Sequence, residues 1–140
     1  MLGSVLSYKF HPSIRDECSC DCPPNSADQV QQTIYRGIRE LPLKPEDFLS
    51  HAELNLVDDR TICEHWGLSV WVTLNAVKND MKTYRPLRKW HVASGDVSPD
   101  DGVLMATPTR RQPEHYTFWK VYGKDISGSF TIIISPSNQT

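Results

Sequence analysis

Apolar and polar positions follow two rhythms along this chain. Residues 31–38, "QQTIYRGI", read as a first strand. In "LKPEDFLSHAELN" (43–55), Pro45 stands at a helix start, Glu46 and Asp47 fill the first turn, and Phe48, Leu49 and Ala52 share one face. That predicts a short amphipathic helix. "DDRTICEHWG" (58–67) predicts a second helical segment, with Asp58 or Asp59 as cap and Gly67 as stop. "LSVWV" follows as a strand. Thr73 then caps a helix over "LNAVKNDMKTY", with Leu74, Val77 and Met81 aligned and Pro86 closing it. Beyond that point the period drops to two. "RKWHVASG", "GVLMATPT", "HYTFWKVY" and "SFTIIIS" are four strand candidates separated by turns carrying Gly, Pro and Asp. Tyr116, Phe118 and Lys120 alternate with Thr117, Trp119 and Val121, so both faces of that strand carry apolar residues.

Helices in the first half and strands in the second predict an α+β fold. Residues 1–30 show no sustained period, mixing Pro12, a cysteine patch, Pro23-Pro24 and "NSADQ". They predict an N-terminal arm, partly ordered or wrapped on the body, ahead of a single domain at 31–140. At 140 residues the chain is long enough for a core without staples.

A formal net charge of −2, with basic residues spread along the chain, argues against an extended nucleic-acid surface. The longest apolar run, "FTIII", is too short to cross a membrane. The first residues show no positive leader, no sustained apolar segment and no small-residue cleavage site. The expected location is cytoplasmic, or outside by a route that uses no Sec-type signal. Reduced cysteines are expected with it. In "CSCDC", Cys18, Cys20 and Cys22 fall at every second position. An extended chain separates such residues by about 6.6 Å, too far to share one tetrahedral ion. A turn, with Cys63 as a further ligand, would bring them closer. The spacing favours an exposed, loosely ordered cysteine patch, and no metal site is assigned.

The chain has no P-loop, no G-x-G-x-x-G, no H-E-x-x-H and no G-x-S-x-G. Cys63 and His65 lie two apart, and on a helix they would point away from each other. Cys63 then reads as a small buried thiol. Trp66, Trp71, Trp90 and Trp119 read as core. Arg36 interrupts an apolar strand between Tyr35 and Gly37, which is costly unless its head group is solvated or paired. A guanidinium forks to phosphate oxygens. Ser69 presents a hydroxyl in the second strand, and "EHYT" sets Glu114, His115, Tyr116 and Thr117 at the start of another. Arginine for a phosphate, serine to orient it and a histidine–tyrosine face for a planar ring make a coherent nucleotide pocket.

The order of "IYRGI" (34–38), "WGLSVWVT" (66–73) and "EHYTFW" (114–119) resembles the ADP-ribosyltransferase fold. More narrowly, it resembles the compact cytoplasm-acting toxins of that fold delivered by type VI secretion and their small bacterial relatives. The resemblance implies two small, mostly antiparallel sheets with NAD bound between them. It implies that Arg36 contacts the nicotinamide-side phosphate or ribose, with Gly37 clearing room beside it. Ser69 would support the ribose, His115 and Tyr116 would lie near the pocket, and Glu114 would be the candidate catalytic glutamate. Arg36, Ser69 and Glu114 are thus the catalytic candidates, and Arg36, Gly37, Ser69, His115 and Tyr116 the cofactor-binding ones. Val70 stands where a Ser-Thr-Ser pattern would place a second hydroxyl. The implied activity is transfer of ADP-ribose to a macromolecular target, with a neutralising immunity or antitoxin protein as a further partner. Two other readings stay open: a non-catalytic nucleotide- or protein-binding module of the same fold, and an interaction protein whose cysteine arm is the relevant surface.

Overall fold

The computed structural model describes residues 9–18 and 21–136. Cys20 lies outside them. The elements run α1 (Ser13–Glu17), β1 (Gln32–Ile38), β2 (Leu68–Val70), α2 (Leu74–Thr83), β3 (His91–Val97), β4 (Gly102–Ala106), β5 (Tyr116–Lys120) and β6 (Phe130–Ile134), with short 3-10 turns between. The fold is α+β. Its strands form two three-stranded antiparallel sheets, ordered β1-β3-β6 and β2-β5-β4.

The main core lies between the sheets. Ile34, Ile38, Ala93, Val97 and Phe130 of the first face Leu68, Val70, Leu104 and Phe118 of the second, with Phe48 among them. Because strand side chains alternate, Arg36 shares the inward face with Ile34 and Ile38. Gly37 and Tyr35 point outward, where Trp71, Val77, Leu87 and Val92 pack with α2. A single pair joins the sheets edge to edge: Tyr35 and Trp71 exchange backbone bonds of 2.8 and 2.9 Å. Beyond that pair β1 and β2 are not laddered together.

The helix over 74–83 forms as its pattern predicts, and the Thr73 hydroxyl accepts from the Ala76 amide at 3.0 Å. Its buried face differs. Ala76, Val77 and Asp80 are buried, whereas Leu74 is exposed. The two earlier helical segments are corrected to 3-10 turns at Pro45–Phe48 and Cys63–Trp66. At the first, Arg36 Nε donates to the Asp47 carbonyl at 2.8 Å, turning toward the strand an acceptor that a longer helix would use. Ser50 and Glu53 then start a separate turn through reciprocal bonds of 2.8 and 3.1 Å.

The expectation of an exposed, reduced cysteine patch is also corrected for the described cysteines. Cys22 and Cys63 form a disulfide across 41 positions, and Cys18 is buried. The fold itself brings these segments together. Ile14 and Cys18 pack with Trp66 and Trp119 on the outer side of the second sheet. Glu17 pairs with Arg60, and Asp28 pairs with Leu104 through backbone bonds of 2.9 and 2.8 Å.

Candidate functional site

The site is built where β1 and β2 diverge. Arg36 reaches across this gap, donating from Nε to Asp47 O at 2.8 Å and from Nη1 to Ser69 O at 2.9 Å. In an antiparallel strand the N–H and C=O of one residue point the same way. The Ser69 carbonyl faces Arg36, so its amide also faces the gap rather than β5. Burial pushes the Arg36 pKa down to about 10, with Asp47 acting in the opposite direction. The guanidinium therefore keeps its charge at neutral pH. Both its hydrogen-bond partners are neutral carbonyls, while the Asp47 carboxylate is engaged by the Lys44 amide at 3.0 Å. Nη2 bonds to no other described residue. The junction thus holds a cation with donor capacity to spare. Its field, after burial, also contributes to holding the His51 pKa below the ordinary value.

On the other side of β2, the Ser69 hydroxyl lies 3.0 Å from His115 Nε2. Register explains this meeting. Ser69 sits opposite Thr117, and His115 precedes Thr117 by two residues, so all three share one face. The β4–β5 pairing continues past Ala106–Tyr116, since the Thr107 amide donates to the His115 carbonyl at 2.9 Å. His115 Nδ1 lies 3.1 Å from the Thr107 carbonyl and 2.9 Å from its hydroxyl. A carbonyl only accepts, so Nδ1 carries the proton and Nε2 accepts from the Ser69 hydroxyl. Burial lowers the His115 pKa, against a raising influence of the Thr107 bond, Asp80 and Glu64. Thr107 and Thr117 hydroxyls complete the chain at 2.7 Å. A neutral imidazole fixed in this tautomer accepts a hydrogen bond from the serine hydroxyl and leaves the hydroxyl oxygen able to accept another bond.

The structure joins Arg36 and His115 through Ser69, the first at its backbone carbonyl and the second at its hydroxyl. It does not bring Glu114 to them: that side chain is exposed, with its carboxylate 3.4 Å from the Asn79 amide on α2. Tyr116 falls on the opposite face of β5 from His115 and packs against the inter-sheet core. The expected role of Gly37 is replaced by another. A Cβ there would come within 2.7 Å of Trp90 Cε3, so the glycine makes room for an indole on the outward face and not for a group beside Arg36. Gly67, ahead of Ser69, is required for a similar reason, since a Cβ would lie 2.3 Å from Thr117 Cγ2. Sequence reasoning did not single out Thr107 or Asp47. Thr107 could have been found from hairpin register; Asp47 contributes a backbone carbonyl and left no side-chain signal. Asp80 was also missed. It is buried and accepts from Trp71 Nε1 at 2.7 Å and Gln112 Nε2 at 3.0 Å, tying α2 to the end of β2 and to the loop before His115.

Comparison of the chain with protein-family models, with curated proteins and with solved structures returns no match.

Proposed function

We propose that the β1/β2 junction binds NAD and that the domain is an ADP-ribosyltransferase-like protein, of the kind that transfers ADP-ribose to a macromolecule. The observation that carries this reading is the placement of Arg36. A half-buried guanidinium held by neutral carbonyls, with Nη2 uncommitted, favours a negatively charged oxygen as its next partner. A pyrophosphate is such a partner. Ser69, oriented by His115, adds a hydroxyl of the kind a ribose needs. In this assignment Arg36 holds the nicotinamide-side phosphate, Ser69 supports the ribose, and His115 positions Ser69. Catalysis would consist of stabilising positive charge on the ribose as the nicotinamide bond breaks.

A second reading, binding without turnover, is favoured by Glu114, whose carboxylate engages Asn79 instead of the junction. The two separate cleanly. Binding is tested by thermal unfolding with millimolar NAD. Ligand at about 100 times its Kd adds roughly 2.7 kcal/mol to wild-type stability. Ser69→Ala should melt normally without NAD and lose much of that gain. Arg36→Lys should lose it while keeping a charge at the site. Arg36→Ala is a poorer test, because Arg36 also ties Asp47 to β2. No stabilisation of the wild type would overturn the reading. Nicotinamide release by the wild type, abolished in Glu114→Gln, would favour the transferase. A toxin role further requires that cytoplasmic expression arrests bacterial growth and that Ser69→Ala relieves the arrest.

A further inference from the structure

A third described cysteine, Cys18, lies beside the Cys22–Cys63 disulfide. The sulfurs of Cys18, Cys22 and Cys63 all lie within 4.8 Å of one another. A structural bridge needs two cysteines. A third thiol beside it is a liability, because it can attack either sulfur of the bridge and exchange partners. The grouping has a use if all three sulfurs serve one ligand. Zinc bound to thiolates at about 2.3 Å places its sulfurs about 3.8 Å apart, a spacing these side chains reach by small rotations once the bridge opens.

The local fold supplies the rest of such a site. α1 ends at Glu17, and the chain then carries Cys18 and Cys22 four positions apart, within the ligand spacing common to structural zinc sites. The 3-10 turn at Cys63–Trp66 brings the third sulfur from a distant segment. These segments are held together independently of the disulfide. The Glu17 carboxylate takes both Nε and Nη2 of Arg60, and the Cys18 thiol donates to the Thr61 carbonyl at 3.2 Å. Cys18 and Cys63 are buried and Cys22 is partly so, which shields the sulfurs from bulk water.

We propose that, when the Cys22–Cys63 bridge is reduced, the thiolates of Cys18, Cys22 and Cys63 bind one zinc ion. A dithiol reductant breaks the sulfur–sulfur bond, delivering two electrons and two protons as it closes to its own disulfide. Zinc then displaces one proton from each of the three thiols to solvent. The described residues supply three ligands, and the fourth coordination position is left to another donor or to water. Oxidised protein, with two of its three ligands consumed in the bridge, does not bind the ion.

The test is a titration of the full chain with Co²⁺ after reduction with TCEP, followed by displacement with Zn²⁺. The expected result is one metal per chain, with the d–d bands of a tetrahedral site and a thiolate-to-metal charge-transfer band. Untreated oxidised protein should show neither. Cys18→Ser should weaken binding by about tenfold or more and reduce the charge-transfer band in proportion to the thiolate lost. Its reduced-state melting curve shows whether the variant has folded. Bound zinc should also protect Cys18, Cys22 and Cys63 of reduced wild type from alkylation, read by peptide mass spectrometry. Absence of the charge-transfer band in reduced wild type overturns the proposal. So does equal affinity in folded Cys18→Ser, or continued alkylation of these three cysteines at saturating zinc.

Discussion

The sheet β1-β3-β6 is covered on its outer side by α2 and the 3-10 turn at Arg85–Lys89, which lie in sequence between β2 and β3. The sheet β2-β5-β4 is covered by the turn Cys63–Trp66, which directly precedes β2, and by α1 and residues around Ala52, which come from further upstream. Both sheets therefore bury two faces, but one cover is local and the other is assembled in part from distant segments. The means of attachment differ accordingly. The local cover is held by a helix cap and by buried Asp80, which takes the Trp71 and Gln112 donors. The distant cover is tied by the Cys22–Cys63 bridge and the Glu17–Arg60 pair. A short helix beside its strand loses little chain entropy in docking, whereas closing a long loop costs more. Covalent linkage offsets that cost for the distant cover.

The largest expected effect follows from that contrast. Removing the bridge in a Cys22→Ala, Cys63→Ala double variant should lower stability by about 2–4 kcal/mol, given the length of loop it closes. Urea denaturation measures the loss. Hydrogen exchange should localise it, with faster exchange in residues 9–18 and little change in α2. Uniform acceleration across both regions would erase the distinction between the covers.

The complementary change is Asp80→Ala. It leaves two donors, from Trp71 and Gln112, without their carboxylate in a buried setting, and a loss of about 2–3 kcal/mol is expected. Here exchange should quicken in α2 and in the loop before β5, not in residues 9–18. Since that loop leads directly to His115, NAD-dependent stabilisation should fall as well. Together with the double cysteine variant, this places each region's dependence on its own anchor.

Legibility in the sequence follows the same division. The strands β1 and β3–β6 appear through their apolar runs and turn residues, and α2 through the Thr73 cap, because these signals are local. Two 3-10 turns were read as helices, since Pro45, Glu46 and Asp47 mark a helix start equally well in either case. What stops the first is Arg36 taking a carbonyl from another segment, which no local pattern records. The apolar alternation of both faces of β5 was visible at Phe118 and Trp119, yet the material covering Trp119 was not, because residues 9–18 lack periodicity. At the junction, Arg36 stood out by its cost in a strand. Its meeting with Ser69 depends on where β1 and β2 part, and Gly37 was misread because the demand on it comes from Trp90, 53 positions later. Tyr116 was grouped with its neighbour His115 although adjacent strand residues face opposite ways.

The smallest effect concerns the polar chain of Ser69, His115, Thr107 and Thr117. Burial lowers the His115 pKa, so the folded protein disfavours the imidazolium relative to the unfolded chain. The unfolded state then binds more protons in this range, and stability rises with pH. The contribution of neutral His115 is complete above the unfolded pKa of about 6.5 and is lost as pH falls through the lower folded value. Protonation also removes Nε2 as an acceptor, so the Ser69 hydroxyl must turn to another partner. Denaturation midpoints between pH 5 and pH 8 should fall on acidification, and His115→Gln should flatten that fall. His51, also shifted down by burial and by nearby Arg36, contributes with the same sign, so a His51→Gln control is needed. If the slope follows His51 alone, His115 is not held neutral by the fold. If it follows His115, the orientation of Ser69 is coupled to pH, and binding at the junction should weaken over the same interval.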